Sequence, residues 1–145
     1  MNDMLNEFEG SCHCGAIGFR YRTGIDPRNW SVRACQCSFC RAHHALSTSD
    51  PGGEIAFLAA EPQHLQKYRF GLKTADFLLC RQCGVYIGAV IETGGKAFGI
   101  INTHAFKNTP ADLPAVQPVS YDREDASGRV SRREERWTPV SNVPR

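Results

Sequence analysis

The stretch Leu79-Cys80-Arg81-Gln82-Cys83-Gly84 decides how this chain is read. A C-x-x-C turn reverses the backbone tightly and points both sulfurs inward, and a glycine behind it can take the positive φ that closes the turn. A shorter counterpart stands near the N-terminus, Gly10-Ser11-Cys12-His13-Cys14-Gly15. Between them lies Cys35-Gln36-Cys37-Ser38-Phe39-Cys40-Arg41. In Cys12-x-Cys14 the two side chains share one face of an extended strand, so both thiols can reach one ion. These clusters hold all seven cysteines of the 145 residues.

Seven thiols cannot pair completely as disulfides. Residues 1–9 are polar and acidic, without the apolar segment of a signal peptide. The longest apolar run, about 85–91, is far short of the ~20 residues of a membrane helix. The chain therefore reads as soluble and cytoplasmic, with cysteines that bind metal rather than crosslink.

Zinc takes thiolates in a tetrahedron with bonds of about 2.3 Å. One grouping joins Cys12, Cys14, Cys80 and Cys83 in a closed, structural zinc site. It leaves Cys35, Cys37 and Cys40 around a second zinc with one open position, the pattern of a catalytic metal. The other grouping is a zinc ribbon of Cys37/Cys40 with Cys80/Cys83, which leaves Cys12, Cys14 and Cys35 without a role. The four-plus-three grouping uses every cysteine and is preferred. A structural zinc contributes about 10–16 kcal/mol, as much as the net stability of about 5–15 kcal/mol of a whole domain. The fold is expected to depend on it.

Outside the clusters, Ile17, Phe19 and Tyr21 alternate with small or polar residues, the period of a half-buried strand. Further strands are predicted through Trp30 and Val32 and over 54–59, 65–70, 76–79, 85–91 and 97–103, most of them separated by Gly or Pro. Residues 1–10 read as a polar lead-in and 42–53 as ending in a loop. The expected fold is mainly β, of short antiparallel sheets with a C-terminal helix, in one domain over 1–145. Its core spans about 8–107 and an extension covers 108–145. Pro110, Pro114 and Pro118 exclude a long helix before Val119. Arg129, Arg132, Arg133 and Arg136 then fall at i, i+3, i+4 and i+7 and predict a helix with one basic face. Asp122 or Asp125 would cap it, Asp125 would pair with Arg129, and Val130 and Trp137 would dock its other side.

With 41% hydrophobic and 22% charged residues the composition excludes a disordered tail, a collagen-like chain and a coiled coil. The formal charge of +2 is too weak to indicate a nucleic-acid partner. Seven thiolates holding two dications would bring it to −1.

All three clusters resemble the glutathione-dependent formaldehyde-activating enzyme family, which includes centromere protein V. Its pattern is G-S-C-x-C-G, then C-x-C-S-x-C-R, then F-C-x-x-C-G, and this chain departs only in Leu79, where phenylalanine is usual. The resemblance covers roughly residues 8–107. It implies the zinc-binding β fold shared with a chaperone of Rab GTPases. It also implies a structural zinc on Cys12, Cys14, Cys80 and Cys83 and a catalytic zinc on Cys35, Cys37 and Cys40. The implied activity is that of a carbon–sulfur lyase, adding the glutathione thiol to formaldehyde to give S-hydroxymethylglutathione.

In such a reaction a thiolate attacks the aldehyde carbon, and the developing alkoxide needs a donor. The candidates for base or donor are His43, His44 and His104, with Asn102 beside the last. Glutathione carries carboxylates, for which Arg41 is the first candidate and the arginine face of the C-terminal helix the second. His13 reads as outward-facing, and Trp30, Tyr86 and Phe106 as core or pocket wall. The competing reading is a non-catalytic, zinc-stabilised binding module on the same fold.

Overall fold

The computed structural model describes residues 5–144. In chain order the elements are β1 (Asn6–Ser11), β2 (Ile17–Thr23), β3 (Arg33–Cys35), α1 (Ser38–His43), β4 (Ser47–Thr48) and β5 (Glu54–Ala59). There follow β6 (Leu65–Tyr68), β7 (Asp76–Cys80), β8 (Tyr86–Thr93), β9 (Lys96–Asn102), β10 (Gln117–Val119), α2 (Ala126–Arg136) and β11 (Thr138–Asn142). The chain is mainly β, as its short alternating runs predict.

One set of strands runs β1-β2-β5 and another runs β6-β7-β8-β9, all antiparallel. Strand β9 continues through β4 to β3. The C-terminal extension ties the two sets together. Strand β11 lies parallel to β5 and antiparallel to β9, and β10 adds in parallel to β3. The C-terminal extension is thus part of the sheet.

Five sequence expectations need correction. The lead-in over 1–10 contains β1; its first four residues lie outside the described ones. The run 42–53 contains the short strand β4, and the strand expected at Trp30–Val32 forms three residues later as β3. Helix α2 is capped by Asp125, whose carboxylate accepts from the Gly128 amide at 2.7 Å, so the acid facing Arg129 is Glu124, at 3.3 Å. Trp137 does not dock the opposite face of α2. It is the extended C-cap, outside the helical period, and the Arg133 guanidinium lies 4.6 Å over its ring.

The buried side chains form two clusters. The first gathers Phe19, Tyr21, Trp30, Ile55, Phe57, Leu78, Ile87 and Phe106 with Cys12 and Cys80. Phe19 lies flat on Gly10, where any Cβ would clash with its ring, which accounts for the glycine before Ser11. The second gathers Phe39, Phe77, Tyr86, Ile91, Ile100 and Trp137 with Cys40. Each cysteine group sits on one of these clusters.

Candidate active site and metal centres

The structure sorts the seven thiols as four and three. Cys12, Cys14, Cys80 and Cys83 form one group and Cys35, Cys37 and Cys40 the other, with sulfurs within 4.8 Å of one another in each. The zinc-ribbon grouping of Cys37/Cys40 with Cys80/Cys83 is not formed.

The four-cysteine group joins two turns with the same hydrogen bonding. The Cys12 amide donates to Ile17 O and the Cys80 amide to Val85 O, both at 3.0 Å. Gly15 and Gly84 close the two turns at φ +87° and +81°, in the left-handed region where a Cβ is strained. Amides also point at sulfur, from Ile17 to Cys12 and from Cys83 to Cys80, each at 3.4 Å. Cys12 and Cys14 sulfurs are 3.7 Å apart and Cys14 and Cys80 sulfurs 3.5 Å. Tetrahedral bonds of about 2.3 Å put thiolates about 3.8 Å apart, so the group fits one metal ion. Burial pushes the Cys83 thiol up, but amide hydrogen bonds from the Cys14 and Val85 backbone outweigh it and bring the thiol to about 6.

The three-cysteine group is local. Cys35 ends β3, Cys37 caps α1 and Cys40 lies in its first turn, where its amide donates to the Cys37 sulfur at 3.4 Å. Strand β10 fixes the approach, with Val119 opposite Cys35 and its carbonyl accepting from Gln36 at 2.9 Å. The thiols share hydrogen bonds. Those from Cys35 and Cys40 hold the Cys37 thiol far below its ordinary value, while donating to these partners pushes Cys40 up. A thiol lowered in this way is suited to binding a cation, and three thiols leave a fourth position open.

That position faces a pocket. Its empty space is about 650 Å³ with the mouth included, of which about 80 Å³ can be reached by the centre of a water molecule. Phe70, Phe77, Ile100 and Trp137 form apolar walls, Arg33, Arg129, Arg132 and Arg133 supply positive charge, and Asp122 a negative one. Arg129 and Arg132 both pair with Glu124, and Arg132 lies 3.4 Å over the Tyr121 ring. Arg33 donates to Ser31 and Ser49, and Arg133 Nη1 donates to Thr74 at 2.7 Å; neither has a carboxylate partner among the described residues. Burial, then repulsion from Arg132 and Arg129, brings the Arg133 guanidinium down to about 10.

Sequence patterns resembling the glutathione-dependent formaldehyde-activating enzyme family match residues 7–119. The chain belongs to that family. A Halomonas elongata protein named for glutathione-dependent formaldehyde activation is 37% identical over 57 residues, spanning 39% of this chain and 31% of that protein. The match thus covers about a third of the relative's length. A crystal structure of a Rhodobacter sphaeroides protein superposes with a TM-score of 0.55 at 24% identity, covering 73% of this chain and 97% of that one, and shows a shared fold. The family match stops before α2, so Arg129, Arg132 and Arg133 lie beyond it, while the fourth pocket arginine, Arg33, lies within it.

Of the residues singled out besides the cysteines, Arg129, Arg132, Arg133 and Trp137 line the pocket, whereas His43 does not. Its ring packs 4.4 Å from Phe39 and 5.8 Å from Tyr86. Arg41, His44 and His104 are exposed and line no part of the pocket. Asn102 is buried and fully used by the backbone: Nδ2 donates to Tyr86 O at 2.9 Å, and Oδ1 accepts from the amides of His104 and Leu46. Arg33 and Tyr121 were invisible as site residues, because only β3 pairing and the path after β10 bring them to the pocket. The arginine period of α2 was the one legible signal for the rest.

Proposed function

We propose that this protein is a zinc-dependent carbon–sulfur lyase that adds a thiol such as glutathione to a small aldehyde such as formaldehyde at the three-cysteine centre. The observation that carries this reading is the opening of Cys35, Cys37 and Cys40 onto a pocket walled by guanidinium groups. The four-cysteine group would hold a structural zinc, completed by its own ligands. Zinc on the three-cysteine group would favour the thiolate over the thiol form of a substrate arriving at the open position.

The chain's own residues then account for binding and orientation. Three thiolates on a dication carry one negative charge; the four pocket arginines bring four positive ones, and Asp122 and Glu124 two negative ones, which leaves one positive charge in excess. One further anion balances the pocket, which suits a substrate that reacts as a thiolate. Arg129 and Arg132 stand where carboxylates of a peptide thiol would be received, the role first expected of Arg41. The narrow inner space suits the reacting sulfur and a one-carbon aldehyde, with the rest of the thiol in the mouth. Phe70, Phe77 and Trp137 exclude water around the new bond. Carbon NMR exchange spectroscopy with labelled formaldehyde and glutathione tests the reading. Exchange between free aldehyde and adduct should be faster with protein than without; equal rates would remove it.

A further inference from the structure

Two buried side-chain polar atoms lack a hydrogen-bond partner among the described residues: the Tyr86 hydroxyl and Arg133 Nε. Buried donors are nearly always paired, because leaving one unpaired costs more than a hydrogen bond gains. Elsewhere in this molecule the rule holds: buried Asn102, Thr48 and Asp50 all have partners. Arg133 lines the three-cysteine pocket, and Tyr86 lies behind its wall, in the buried cluster that also holds Cys40 and the pocket residue Phe77. Tyr86 begins β8, edge-on to Phe39 at 5.1 Å and stacked with Phe77 at 6.0 Å. Cys40, Cys37, Cys35 and Arg133 are the groups whose charge acts on its hydroxyl.

The fold uses neither atom. Arg133 is held by the bond from Nη1 to Thr74 and by its contact with Trp137, and Tyr86 is held by its ring. No cysteine sulfur accepts from either donor. An acceptor small enough for the inner pocket, carrying or developing negative charge, would suit the guanidinium.

We propose that the Tyr86 hydroxyl and Arg133 Nε–H form a two-donor oxyanion site, and that both are catalytic residues receiving the aldehyde oxygen as it becomes an alkoxide. This assignment rests on the thiol–aldehyde reading above. As the thiolate sulfur bonds to the carbonyl carbon, the C=O π pair moves onto oxygen between the two donors. The proton lost when the thiol became a thiolate is returned to that oxygen from solvent, giving the neutral adduct. Donors fixed in place before the charge develops need no reorganisation as it forms.

The test uses the zinc-loaded full-length protein, Tyr86→Phe and Arg133→Lys. Tyr86→Phe removes only an unpartnered hydroxyl, so its thermal midpoint should equal or exceed that of the parent. Catalysed exchange should fall about 10²- to 10³-fold with KM for the thiol unchanged. Arg133→Lys keeps the charge but lacks Nε, and should show a comparable loss. Formate, a small oxyanion that cannot react, should bind the parent and bind each variant about tenfold or more weakly. A thermal midpoint that falls along with the rate in Tyr86→Phe would make the hydroxyl structural and overturn the proposal. Parent-like exchange and formate binding in both variants would also overturn it while leaving the thiol–aldehyde reading in place. Formate binding lost in both variants of a protein without catalysed exchange would keep the oxyanion site and remove that reading.

Discussion

The two cysteine groups are built with the same local device and differ in what completes them. In each, the first cysteine of a C-x-x-C turn accepts the amide of the second at 3.4 Å, Cys80 from Cys83 and Cys37 from Cys40. The four-cysteine group then recruits a second turn, 66 residues away in sequence between Cys14 and Cys80, and fills its own coordination. The three-cysteine group adds only Cys35, and protein side chains from the C-terminal segment surround the empty side. One group closes a long loop against the first core; the other opens onto a pocket against the second. On the reading proposed above, ligand count separates structure from chemistry, and what stands over the open position decides which chemistry.

The sharpest way to break this contrast is to remove one ligand from each group. Cys80→Ala deletes a thiol that is only 2% exposed and leaves the long-range tie without its metal. The expected loss is on the order of 10 kcal/mol, enough to abolish the cooperative unfolding transition in circular dichroism. Cys37→Ala should leave that transition in place, shifted by a few degrees. It should lower bound zinc from two equivalents to one and remove catalysed exchange. Equal damage to the fold from both variants would erase the distinction.

A smaller effect sharpens the account of the pocket wall. Hydrogen bonds from Arg132, then the charges of Arg132 and Arg129, hold the Glu124 carboxyl below its ordinary value of 4.5. A depressed carboxylate stabilises the fold above its unfolded value and loses that contribution as pH falls through the folded one. Glu124→Gln should therefore cost about 1 kcal/mol at pH 7, and the difference from the parent should shrink as pH falls below 4.5 in urea titrations. A difference that persists in acid would mean that packing, not the ion pairs, docks α2.

Much of this was legible in the sequence where the signal is local. Strand β5 falls where its alternation places it, and Gly84 takes the positive φ its turn requires. The four-plus-three grouping, preferred over a zinc ribbon because it uses every cysteine, is the one that forms. What sequence could not show depends on long-range pairing. Asn102 looks like a polar residue beside a site, yet both ends of its amide are used by Tyr86, Leu46 and His104 backbone. Tyr86 reads as an aromatic core residue, and only the fold leaves its hydroxyl without a partner. The basic period of α2 announced a face but not its direction, because β11 pairing with β5 and β9 determines where the helix lies.

Stepwise removal of zinc from the loaded protein by a graded chelator, followed together by zinc content, far-ultraviolet circular dichroism and catalysed exchange, tests the division of labour most directly. The first equivalent should leave the three-cysteine centre and abolish exchange while the β spectrum is unchanged, and the second should leave with the fold. Loss of the fold with the first equivalent, or exchange that survives its removal, would contradict the account.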